Sequence, residues 1–138
     1  MKYAVIGAGG MGIQYGVLLQ EFAHKDVDFV DTWKPNVEKI REQGGAYVSQ
    51  DGEDRHLVPI NVYYPEEYAG QPDVWIVFLK QMQLDGVLKR CAHLFNEKQI
   101  VFSAMNGYGH FEKLNEYFSH RPHLRRHRTD RCLRVRPR

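Results

Sequence analysis

The sequence predicts an α/β domain: a mostly parallel sheet with helices on both faces, plus a short hairpin. Three observations predict it. Apolar runs of strand length alternate with segments of helical periodicity. Two of the runs, DVWIVF at 73–78 and QIVFSA at 99–104, read as buried strands, the first apolar almost throughout, as parallel strands covered on both faces are. A glycine cluster, GAGGMG at 7–12, joins the first strand to the first helix.

The elements follow in order. Residues 2–7 form a short strand with Tyr3, Val5 and Ile6 inside. From Gly10 the period changes: Met11, Tyr15, Leu18, Leu19 and Phe22 recur three and four apart, which predicts one buried helical face. DVDFVD at 26–31 is a second strand. Pro35 fits a first helical turn, Val37 and Ile40 continue that helix, and Gly44-Gly45 stops it. Residues 46–60 alternate around Asp51-Gly52, a pair suited to a tight hairpin turn. After the strand at 73–78, residues 82–95 read as a helix with Leu84, Val87, Leu88, Cys91 and Leu94 clustered and Gly86 weakening it slightly. The strand at 99–104 leads to a short helix at 110–118 carrying Phe111, Leu114 and Phe118. There are no internal repeats.

A chain of 138 residues suits one domain. No apolar run approaches the ~20 residues of a membrane span, and the first residues read as a strand rather than a signal peptide. Cys91 and Cys132 read as free thiols in a reducing compartment, so a cytoplasmic protein is expected. The net charge of +2 conceals two compositions. Residues 1–119 hold 11 Lys+Arg against 16 Asp+Glu, whereas residues 120–138 hold eight Arg, no Lys and one Asp. The expected boundary is at 119.

Gly7, Gly9 and Gly12 form G-x-G-x-x-G, with Ala8, Gly10 and Met11 between them. The first glycine permits the tight turn, the second lets backbone approach a pyrophosphate, and the third lets helix and strand pack closely. The helix start then offers unpaired N–H groups and partial positive charge to phosphates. This context predicts a dinucleotide-binding, Rossmann-like domain over 1–119. Asp31 lies 19 residues beyond Gly12, at the end of the second strand. A carboxylate there can accept from both hydroxyls of an adenosine ribose and repels a 2′-phosphate, which favours NAD over NADP. Read alone, Asp31 also fits a loop or helix-capping aspartate. Lys34, three residues on, could meet a phosphate or lie solvated on the surface.

Ligands in open α/β sheets bind beyond the carboxyl ends of the strands. Lys80 and Asn106 fall at two such ends, where they could face the nicotinamide ribose and a substrate carboxylate or carbonyl. Their other readings are a surface lysine and a turn asparagine. His24, His56 and His93 have no partner pattern, and Tyr63, Tyr64 and Trp75 read as apolar contact.

MKYAVIGAGGMG, the lysine of FLKQMQ, and SAMNGYGHFEKL together resemble the N-terminal domain of ketopantoate reductases (2-dehydropantoate 2-reductases), over residues 1–119. The resemblance implies NADPH-dependent reduction of a 2-keto acid on the pantothenate and coenzyme A route. It implies cleft contacts to cofactor and substrate by Lys80 and Asn106. Two departures stand out. The family carries a basic residue for the 2′-phosphate just after the second strand, where this chain has Asp31. The family's helical C-terminal domain supplies a general-acid lysine and a substrate-binding glutamate, and no position here matches either. The expectation is a truncated domain with weak cofactor binding, negligible turnover, and an uncovered apolar face prone to self-association.

Residues 120–138 are expected to lack a fold. Arginine without lysine is the composition of GC-rich DNA read out of frame, and that is the reading taken. The other readings are phosphate contacts to nucleic acid and a metal held by His120, His123 and His127; neither partner is expected. Two other functions remain open: a non-catalytic dinucleotide sensor with a basic tail, and a fragment of a 3-hydroxyacid-type dehydrogenase.

Overall fold

The computed structural model describes residues 1–50, 53–118, 123–126 and 132–135. Its centre is a sheet in the order β5-β2-β1-β6-β7-β8-β9. Strands β1 (Lys2–Ile6), β2 (Asp26–Val30), β5 (Asn61–Tyr63), β6 (Val74–Val77), β7 (Ile100–Ser103) and β8 (His123–Arg126) run parallel. Strand β9 (Cys132–Val135) is antiparallel to β8. Strands β3 (Ala46–Gln50) and β4 (Glu53–Val58) form a separate antiparallel hairpin, as the alternation predicts; Asp51 and Gly52 at its tip lie outside the described residues.

The chain crosses over once around β1. Strand β2 pairs on one side, Lys2 opposite Asp26 through Ile6 opposite Val30. Strand β6 pairs on the other, Tyr3 opposite Val74 through Ile6 opposite Val77. This reversal of winding direction is the point at which doubly wound sheets open a crevice.

Helices α1 (Gly10–Glu21) and α2 (Lys34–Gln43) cover one face with the hairpin, over a core that includes Val5, Val27, Phe29, Val37 and Ile76. Helices α3 (Gln81–Cys91) and α4 (His110–Phe118) cover the other, over Ile6, Trp75, Leu84, Leu88, Leu114 and Phe118. Pro35 lies in the first turn of α2, and Gly44 ends it in the left-handed region at φ +77°. The helix expected over 82–95 is α3 followed by a 3-10 turn at Ala92–Leu94.

Three expectations are corrected. The apolar face read on α1 is only in part its buried face. Met11, Leu18 and Phe22 are exposed, Phe22 at 71%. Leu19, also on the predicted face, is half-buried and packs on the core with Ile13, and the fully buried residues of the helix are Gly12, Gly16 and Val17. A Cβ at Gly16 would run into the ring of Phe29, and one at Gly12 into the Gly7 carbonyl, so the helix backbone itself lies against the sheet. Strand β5 is absent from the sequence reading because three residues give no periodicity. Finally, the stretch expected to lack a fold contains β8 and β9, which continue the sheet beyond β7. Unpaired N–H and C=O groups along the edge of β7 recruit a strand through the main chain, whatever its composition. The remaining residues of 120–138 lie outside the described ones.

Asp28, in mid β2, is a buried carboxylate. It accepts from the Tyr68 hydroxyl at 2.9 Å and pairs with Lys2 Nζ at 3.0 Å. Burial, then the bond to Asp28, pushes the Tyr68 hydroxyl far above its usual ionisation range, while the Asp28 carboxylate holds the Lys2 ammonium above its own. The network satisfies a charge that would otherwise be costly to bury.

Candidate functional site

The carboxyl ends of β2, β1, β6 and β7 lie side by side, and every sequence-predicted site residue follows one of them. After β1, Gly7 sits at φ +102°, and a side chain there would collide with the Phe78 carbonyl. Gly9 caps α1 with extended backbone and no side chain to satisfy the first N–H groups, and no acid lies in the first turn. A Cβ at Gly9 or Gly10 would meet nothing within 4 Å. Glycines 7 and 12 thus close the turn against its surroundings, while 9 and 10 leave its outer side open.

Asp31 reaches back across this turn. Its Oδ2 accepts from the Ala8 N–H at 2.7 Å, and its Oδ1 accepts from the Trp33 N–H at 2.9 Å. Asn36 Nδ2 donates to the Ala8 carbonyl at 2.7 Å. Both polar groups of the Ala8 backbone are therefore held by the segment between β2 and α2. The loop reading of Asp31 is realised, and its carboxylate is fixed beside the glycine turn by two charge-assisted bonds. Lys34 is exposed and pairs with Glu38 at 3.5 Å, one helical turn on.

Lys80 is exposed at the start of α3. Asn106 is exposed after β7, beyond the buried Met105 and before Gly107 and Gly109, both with left-handed φ. Gln81 Nε2 donates to the Tyr108 carbonyl at 2.8 Å, which ties the Lys80 segment to the Asn106 loop. Asn36 and Gln81 escaped the sequence reading because their partners are backbone atoms 28 and 27 residues away. No local pattern encodes such bonds.

The other polar candidates lie elsewhere. His56 pairs with Glu21 at 3.1 Å, and His93 Nε2 lies 3.1 Å from the Pro65 carbonyl. Trp75 is fully buried, edge-on to Tyr68 and Phe95. Among the described residues no cluster of three or more His, Cys, Asp or Glu could hold a metal ion. His120 and His127 lie outside them, and His123 is in β8. No helix among the described residues is long and apolar enough to cross a membrane. A surface cavity of about 640 Å³, lined by residues that include Asp73, Asn96, Lys98 and Gln99, opens at the opposite, amino-terminal end of β6 and β7.

Known proteins resemble this chain in sequence and fold. A 2-dehydropantoate 2-reductase of Lactococcus lactis is 31% identical over 121 residues, covering 86% of this chain and 38% of that protein. One of Nostoc is 34% identical over 115 residues, covering 83% of this chain and 35% of that protein. The chain thus spans well under half the length of these curated relatives, on their N-terminal part. Among solved structures, D-mandelate dehydrogenase with NADH and anilino(oxo)acetate superposes with a TM-score of 0.83 at 27% identity, over 91% of this chain and 40% of that one. The family model described as ketopantoate reductase PanE/ApbA matches residues 3–132, past the expected boundary at 119, and the chain belongs to that family.

Proposed function

We propose that this chain is the cofactor-holding part of a 2-keto acid reductase of the ketopantoate type, and that it takes NADH in preference to NADPH. The observation that carries the reading is the uncapped, glycine-lined start of α1 with the Asp31 carboxylate fixed beside it. A diphosphate fits the open side at Gly9 and Gly10, where the first-turn N–H groups and the helix dipole favour negative charge. When bound, the reduced dinucleotide supplies a hydride.

The chain's own residues orient that cofactor. Gly7, Ala8, Gly9, Gly10, Met11 and Gly12 shape the turn. Asp31 keeps acceptor capacity after its two backbone bonds, because a carboxylate has about four lone-pair sites. It is placed for ribose hydroxyls and repels a 2′-phosphate. Lys34 pairs with Glu38 one helical turn on. The D-mandelate dehydrogenase structure, which contains NADH, supports the preference. Lys80 and Asn106 stand at the ends of β6 and β7, where a 2-keto acid's carboxylate or carbonyl would lie. Proton delivery to the developing alkoxide needs an acid held at that oxygen. We propose that this acid comes from the part of the family architecture outside residues 1–138.

Titrating the 138-residue chain with NADH and NADPH tests the reading. NADH is expected to bind at least tenfold tighter, and Gly9→Trp, which fills the open side of the turn, to abolish binding of both. Equal or tighter NADPH binding overturns the preference. NADH binding that survives Gly9→Trp overturns the site, and steady reduction of a 2-keto acid overturns the division of labour.

A further inference from the structure

The segment that braces the glycine turn also carries a large, exposed aromatic. Trp33, first residue before α2, is 64% exposed. Among the described residues its indole has no ring or cation partner. The chain's other tryptophan, Trp75, is fully buried between aromatic edges, as core tryptophans are. Trp33 is also not on a loose loop. Its N–H donates to Asp31 Oδ1, whose second oxygen holds Ala8 N–H. Its carbonyl accepts from the N–H groups of Asn36 and Val37, both at 3.1 Å, and Asn36 in turn holds the Ala8 carbonyl. One carboxylate and one amide thus lock the Trp33 backbone to the turn proposed for the diphosphate.

We infer that Trp33 is a stacking platform for the adenine ring of the dinucleotide, a deepening that rests on the function proposed above. The chemistry fits the placement. With diphosphate at Gly9 and ribose at Asp31, the base lies beyond Asp31, at the start of α2. A purine offers two apolar faces with a polar rim, and a flat, exposed indole on a braced backbone stacks on such a face without reading base edges. Because the backbone on both sides of Trp33 is already bonded, little chain ordering opposes the contact on binding.

The test titrates NADH and ADP-ribose into the full chain as wild type, Trp33→Ala, Trp33→Phe and Trp33→Leu, with thermal unfolding as the control for folding. Trp33→Ala is expected to weaken both ligands by about tenfold, and by the same factor, because the nicotinamide takes no part. Trp33→Phe should recover most of the loss and Trp33→Leu little of it. Unchanged affinity in Trp33→Ala overturns the platform while leaving the site in place, provided Gly9→Trp still abolishes NADH binding. Full recovery by Trp33→Leu overturns stacking in favour of bulk alone. If wild type binds neither ligand, or if Gly9→Trp leaves NADH binding intact, the site and the platform fall together.

Discussion

Helices α1 and α3 each carry a glycine in mid-helix, and the two glycines do opposite things. At Gly16 a Cβ would enter the ring of Phe29, which is fully buried and cannot move aside. At Gly86 a Cβ would meet nothing within 4 Å. Helix α3 is held by bulk: Leu84, Val87, Leu88 and Cys91 fill the space above Trp75 and Val77. Helix α1 is held by the absence of bulk, with Gly12 and Gly16 against the sheet and several large apolar side chains turned outward. The difference is one of task. Helix α3 has only to cover its face of the sheet. Helix α1 must also bring its first turn close enough to β1 for Gly12 to lie on the Gly7 carbonyl, and only glycine allows that approach.

Three substitutions probe this contrast. The largest effect is expected from Leu88→Ala, which removes a fully buried side chain from the bulk-held side and should destabilise by about 2–5 kcal/mol; the urea midpoint measures it. Next is Gly16→Ala. Adding one methyl against a fixed ring should destabilise by about 1–3 kcal/mol although alanine is the better helix former. A displaced α1 should also weaken NADH binding, which ties the packing to the proposed site. The smallest effect has the opposite sign. Gly86→Ala should stabilise by about 0.5–1 kcal/mol, seen as a raised melting temperature. If the two glycine substitutions moved stability in the same direction, the contrast between the helices would be broken.

Most of the architecture was legible because it rests on period and punctuation. The strands β1, β6 and β7 are apolar runs, β2 carries Val27, Phe29 and Val30, helix α2 has correct spacing with a clear start and stop, and α4 has correct spacing. What failed has a common physical cause. On α1 the spacing of large apolar residues pointed partly outward, at Met11, Leu18 and Phe22, because periodicity scores side-chain hydrophobicity and a glycine contact has none. Strand β5 is too short to alternate, and β8 and β9 join the sheet through main-chain bonds that composition does not record. The site divides in the same way. The glycine string and Asp31 stand out as a motif, whereas the bracing by Asn36 and the Gln81–Tyr108 link depend on where distant backbone falls.

Cys91 offers a consequence of the way α3 packs. Its thiol is fully enclosed, and burial pushes its pKa up to about 12, so at neutral pH almost no thiolate exists to react. In a Cys132→Ser chain it becomes a built-in clock. An alkylating or disulfide reagent can reach the sulfur only when α3 lifts from the sheet, so the rate of modification counts openings of that helix directly. Cofactor bound across the neighbouring strand ends would slow the clock, and the slowing would measure how far occupancy at the glycine turn steadies the opposite side of the sheet.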